Sequence, residues 1–322
     1  MTLSRRQLLT SATALPLAVA LPIRLSAAEP MNVVATTGMI ADTAMRIGGD
    51  LVEVKGLMGP GVDPHSYRQT RTDIVAMTRA DLVLCHGLYL EAQMEEFLHA
   101  LARRRSVVAV AEAVPRDKLR AHADYADKFD PHVWMDPILW RPVAAAVAGA
   151  LSEVRPEGAD VFAANLAELD ETLVRLDAYA REVLATIPDN ARVLVTAHDA
   201  FSYFGRAYDM EVLGIQGIST ESEAGLNRIR ALVDTLVERR VGAVFVESSV
   251  SDRNMRALIE GAAAQGHEVR IGGELFSDAM GLPGTYEGTY PGMIDHNVTT
   301  IAAALGGTVP ERGMDGRLKA GI

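Results

Sequence analysis

The sequence of 322 residues contains one cysteine, Cys85, so neither an intramolecular disulfide nor a paired-cysteine metal site can form. Aromatic residues are 5% of the chain, too few for the platforms on which nucleic-acid bases stack. Lys and Arg form no run longer than the three residues Arg103–Arg105, and 31 of them face 42 Asp and Glu, for a net charge of −11. With no phosphate-tracking surface, nucleic acid is excluded as a partner. No HExxH, HxH or Walker lysine occurs, and GLMGPG (56–61) lacks the GxGxxG spacing of a phosphate loop. Beyond the N-terminal segment, no apolar stretch approaches the roughly 20 residues of a membrane span. What is present is ordinary for a packed protein: 49% hydrophobic and 23% charged residues, in a length that fits two domains of about 150 residues each.

The N-terminus has the layout of a cleaved export signal. Arg5 and Arg6 form a twin arginine, an apolar run extends from Leu8 to Ile23, and Ser26-Ala27-Ala28 supplies small residues for processing. An uncleaved membrane anchor is disfavoured because Pro16 and Pro22 interrupt a run that is already short. Residues 1–28 are therefore expected to be a twin-arginine signal peptide, and removing them leaves a chain of net charge −14. Cys85 lies far from the processing site, so a soluble periplasmic protein without a lipid anchor is expected.

Short β-branched runs at Val33–Ala35, Asp81–Cys85 and Val107–Val110, then at Val193–Thr196, Val244–Val246 and Val269–Ile271, alternate with helical periodicity. Such alternation indicates an α/β fold with parallel sheets. Between the two series, Phe162, Leu166, Leu169, Leu173, Leu176, Ala180, Val183 and Ile187 recur at steps of three and four without Gly or Pro. This pattern predicts one helix over 159–187, either a bundle helix or, given the flanking α/β segments, a strut joining two lobes at 29–158 and 188–322.

The histidines divide into two groups. His99 and His267 stand in polar surroundings and read as solvated. His86 beside Cys85 reads as a core neighbour rather than a metal pair. His122 in AHADYADKFD reads as a loop side chain or an auxiliary metal catcher, and His296 in a C-terminal helix receives no role. His65 in GPGVDPHSY, His132 in FDPHVWMDP and His198 in RVLVTAH instead fall in turn-rich segments after strands, as does Asp278 in GGELFSDAMG. Ligands of open α/β sheets bind at the carboxyl ends of strands. The spacings of 67, 66 and 80 residues match no short-range metal signature, so these residues alone leave a metal site and a catalytic site both open.

In order, GVDPHSY, DPHVWMDP, TAHDAFSYF, GIQGISTESEAG, FVESS and IGGELFSDAMG resemble the cluster-nine (TroA/ZnuA-like) metal receptors of ABC importers, in particular the TroA-type manganese/zinc receptors. EGTYPGMIDHN extends the likeness, which covers essentially the whole chain after the signal. The resemblance implies two α/β lobes joined by one long helix, with a metal between them held by His65 and His132 from the first lobe and His198 and Asp278 from the second. It also implies a membrane permease as partner, and a monomeric receptor is expected. Some manganese-favouring relatives carry Glu where this chain has His198. The long His-rich loop of zinc receptors is represented only by His122.

Three imidazoles and a carboxylate suit Zn2+. Mn2+ accepts the same set if Asp278 binds through both oxygens. Intrinsic affinity orders zinc above manganese for nearly any such site, so the metal stays open between Zn2+ and Mn2+, with iron third. Two competing readings are a zinc hydrolase with Glu247 or Glu274 as general base and a passive metal buffer or adhesin. A fourth protein ligand argues against hydrolysis because it closes the coordination sphere. Glu247 is expected beside the site rather than in it, and Trp134 and Trp140 as packing anchors.

Overall fold

The computed structural model describes residues 29–122, 125–221 and 224–319; the expected signal peptide lies outside them. Among the described residues, no helix is long and apolar enough to cross a membrane. The first half builds one parallel sheet from β1 (Met31–Ala35), β2 (Val52–Gly56), β3 (Leu82–Cys85) and β4 (Ser106–Ala109), in the order β2-β1-β3-β4. The buried run Leu82-Val83-Leu84-Cys85 lies between β1 and β4, where side chains are covered on both faces. Connecting helices α1 (Gly38–Gly48), α2 (Arg71–Arg79) and α3 (Glu95–Ala102) return the chain so that every strand ends on the same edge. Helix α2 starts at a reciprocal cap between Thr70 and Asp73.

Helix α4 (Pro137–Val154) begins where the Asp136 carboxylate accepts the Ile138 N–H at 2.9 Å and proline occupies the first helical position. Helix α5 (Ala159–Leu184) follows and runs about 40 Å at 1.5 Å per residue. Phe162, Leu169, Leu173, Leu176, Ala180 and Val183 form its buried stripe. The periodicity continues to Ile187, but the helix stops three residues earlier. Thr186 and Ile187 N–H turn to the carbonyls three residues back, and Pro188 disfavours helical geometry in the residue before it.

The second half pairs β5 (Val193–Thr196) with β6 (Glu211–Gly214) and β7 (Ala243–Glu247) with β8 (Arg270–Leu275), all parallel. Helices α6 (Ser202–Tyr208), α7 (Leu226–Arg239), α8 (Arg253–Ala264) and α9 (Tyr290–Ala304) cover them. All six strands expected from sequence are present, with ends shifted by a few residues. The strands β2 and β6 were not anticipated: each pairs on one side only, β2 is largely exposed and β6 only partly buried, and neither carries a long apolar run.

Each half has a core of its own, around Val34, Met77 and Val83 in the first and Val195, Val244 and Leu258 in the second. A third and larger core is shared, bringing α1 and α4 together with α9 around the stripe of α5. The halves are also tied by hydrogen bonds: Trp134 Nε1–H donates to Ser277 O at 2.7 Å, Tyr290 Oη to Trp134 O at 2.8 Å, Tyr203 Oη to Asp130 O at 2.8 Å and Thr220 Oγ1 to Asp63 Oδ2 at 2.6 Å. Trp140 stacks on Tyr290 with ring centroids 5.2 Å apart.

Candidate metal centre

The turn Asp63-Pro64-His65 follows β2, and Asp130-Pro131-His132 follows β4 after a longer excursion. In both, the aspartate carboxylate accepts the N–H of the histidine two residues on, at 2.9 Å for His65 and 3.0 Å for His132. This local turn is one that Asp forms readily, and the intervening proline keeps the aspartate extended. His198 lies just past β5, where its N–H donates to Glu247 Oε1 at 2.9 Å from the last residue of β7. Packed beside it, Gly214 at the end of β6 has no room for a side chain, since a Cβ there would sit 2.7 Å from Asp199 N. Asp278 follows β8. Three carboxylates therefore fix the backbones of three histidines at the carboxyl edges of the sheets.

These four side chains converge. One ligand atom from each of His65, His132, His198 and Asp278 lies within 4.8 Å of the others, and among the described residues no other cluster of His, Cys, Asp or Glu does this. All four are buried, His132 and His198 completely, with His65 and Asp278 at 4% and 3% exposure. His65 Nε2 is 3.2 Å from His132 Nε2, Asp278 Oδ1 is 3.4 Å from His132 Nε2, and Asp278 Oδ2 is 3.2 Å from His198 Nε2. Donors held about 2.1 Å from a common ion at tetrahedral angles stand about 3.4 Å apart. His198 Nε2 and Asp278 Oδ1 are buried without a hydrogen-bond partner, a costly arrangement unless a ligand satisfies them.

The far sides of two rings are fixed. His132 Nδ1–H donates to Asp130 Oδ1 at 2.7 Å and His198 Nδ1–H to Glu247 Oε2 at 2.5 Å. Each bond sets the tautomer that leaves Nε2 facing inward, the usual support of a metal-binding imidazole. Electrostatics follow from this arrangement. For His132, burial pulls the pKa down, but Asp130 and Asp278 outweigh it and hold the ring at about 9. His198 is likewise desolvated and yet raised well above the imidazole range by Asp278 and Glu247. His65 has no such carboxylate behind its ring, and burial lowers it to about 3. Asp278 is held well below the carboxylate range: desolvation opposes this, but His198 and His132 prevail. Without a metal, protons on His132 and His198 thus supply the positive charge at the centre of the cluster.

Other expectations resolve as follows. His86 is buried and donates Nε2–H to Pro131 O at 2.7 Å, while Cys85 Sγ–H reaches Val108 O at 3.6 Å, so the pair is part of the core. His99 is exposed as expected. His267 is not simply solvated, because its ring donates to Val241 O at 2.8 Å. His122 is buried against Tyr125 rather than solvated, and shares the lining of a small cavity with His65. Trp134 and Trp140 are fully buried, and the Trp134 ring also walls the site, 5.1 Å from that of His132. Of the proposed general bases, Glu247 is committed through both oxygens to His198, and Glu274 is exposed on β8. Sequence reading passed over Asp63 and Asp130. The signal for them was present in the twice-occurring Asp-Pro-His.

The pattern of the ZnuA family, described as zinc-uptake complex component A, periplasmic, matches residues 33–304. A manganese-binding lipoprotein, MntA of Bacillus subtilis, is 49% identical over 280 residues, covering 87% of this chain and 91% of the relative. The zinc-binding protein TroA of Treponema pallidum is 48% identical over 273 residues, covering 85% and 88%. The solved structure of that TroA superposes with a TM-score of 0.82 at 46% identity, over 86% of this chain and 99% of the other. Fe(III)-bound YtgA of Chlamydia trachomatis gives 0.79 at 28% identity, over 87% and 100%. Fold, centre and likeness agree, and the chain belongs to the ZnuA family of metal-binding receptors of ABC importers.

Proposed function

We propose that this chain captures one divalent transition metal ion, Zn2+ or Mn2+, between two lobes and delivers it to the membrane permease of an ABC importer. His65 and His132 supply ligands from the lobe at 29–158, His198 and Asp278 from the lobe at 188–322, and the helical segment at 159–187 joins them. The observation that carries this reading is the set of three donor separations between 3.2 and 3.4 Å, spanning both halves. Capture involves no bond-making beyond coordination. The ion takes the place of the protons on His132 and His198, and Asp278, Asp130 and Glu247 balance its charge.

Two relatives of nearly equal identity carry different metals in their names, manganese for MntA and zinc for TroA, and the site chemistry accommodates both. The reading places the chain in the periplasm as a monomer. The Bacillus relative is a lipoprotein by name, and the one cysteine of this sequence, Cys85, is buried in β3. Titrating metal-stripped protein with Zn2+ and Mn2+ tests the function. One ion per chain is expected, with high-affinity binding largely lost in H198A. Unchanged stoichiometry and affinity in that variant would remove His198 from the site.

A further inference from the structure

The end of β7 and the loop after it support both candidate ligands of the second half. Glu247 holds His198, and two residues on, Ser249 Oγ–H donates to Asp278 Oδ2 at 3.3 Å and lies 3.0 Å from Ser277 Oγ. The other oxygen of Asp278, Oδ1, is buried and has no hydrogen-bond partner. Oδ1 faces His132 Nε2 at 3.4 Å and Oδ2 faces His198 Nε2 at 3.2 Å, so the carboxylate presents both oxygens to the centre. A turn about its Cβ–Cγ bond would carry one oxygen away. Among the described residues, Ser249 is the side-chain hydroxyl that bonds this carboxylate and resists that turn.

We propose that Ser249 tunes metal preference by holding Asp278 with both oxygens toward the ion, which favours manganese relative to zinc. The inference rests on the metal-capture reading above. Zinc is satisfied by four donors, here three imidazoles and one oxygen. Manganese favours oxygen donors and a larger coordination number, so it gains more from the second oxygen. Ser249 borders a cavity of about 590 Å³ shared with Asp63, Gln216, Thr220 and Arg253, which leaves room for an added methyl group in a control variant that keeps the hydroxyl.

The test compares metal-stripped wild-type, S249A and S249T chains, measuring Zn2+ and Mn2+ affinities at pH 7.5 by chelator competition and the manganese coordination number by X-ray absorption. Loss of an outer hydrogen bond to a metal ligand commonly weakens affinity 10–100-fold. S249A is expected to weaken Mn2+ by about tenfold or more and Zn2+ by less than about threefold, with fewer oxygen neighbours around manganese, while S249T stays near wild type. Equal weakening of both metals would make Ser249 a general support and overturn the inference, as would an unchanged ratio or S249T behaving like S249A. A wild-type chain that binds neither metal would overturn the capture reading itself, a failure visible before any variant is compared.

Discussion

Each candidate ligand is held by a carboxylate or hydroxyl, from its own turn for His65 and His132 and from a distant segment for His198 and Asp278, and the carboxylates behind His132 and His198 make the chemistry dependent on pH. His132 stands at about 9 and His198 is also raised well above the ordinary imidazole range in the metal-free centre. Because a coordinating imidazole must be deprotonated, the ion competes with those protons. Affinity should therefore be weaker at pH 5 than at pH 7.5 and go on rising toward pH 9, with protons released on binding. His65, already neutral above about 3, adds nothing to this slope. Calorimetry in buffers of different ionisation enthalpy measures the released protons; an affinity that levels off above pH 7 would show ordinary, uncoupled histidines. Replacing Glu247 by Gln removes the charge behind His198 and leaves one acceptor oxygen for its two donors, and should weaken capture about 10–100-fold, while the folded far-ultraviolet spectrum is kept. The four candidate ligands stand at strand ends and in family motifs, and the structure brings them into one cluster. Glu247 was expected beside the site, but its bond to His198 was harder to read, because it depends on β5 lying near β7, a contact between residues 49 apart in sequence.

Among the elements, α5 is the most legible and the most consequential. Its stripe repeats at helical spacing without interruption, so its existence followed from sequence, while its last three expected residues yielded to the turn before Pro188. Leu173 is fully buried in the shared core, and L173A should destabilise the fold by about 2–5 kcal/mol. Because that core joins α1 and α4 to α9, denaturant unfolding followed separately in the two halves should shift together; a shift confined to one half would show that the core is not shared. The strands β2 and β6 escaped sequence reading because half-exposed edges need few apolar residues. Yet these edges matter to the site: His65 follows β2, and Gly214 at the end of β6 packs against the His198 turn.

At the scale of the molecule, the proposed centre is a clasp. Four donors come from both sides of α5, and the bonds Trp134–Ser277, Tyr203–Asp130 and Thr220–Asp63 lie around it. An ion that binds the folded chain alone stabilises it by RT ln(1 + [L]/Kd), about 4 kcal/mol at a thousandfold excess over Kd. Saturating Zn2+ or Mn2+ should therefore raise the melting temperature of the wild type and leave that of H198A nearly unchanged. The most direct test of the clasp is a crystal structure of the metal-loaded chain with anomalous scattering recorded at the zinc and manganese edges. We expect one peak enclosed by the Nε2 atoms of His65, His132 and His198 and the carboxylate of Asp278. An ion bound by residues from one half alone would contradict the account.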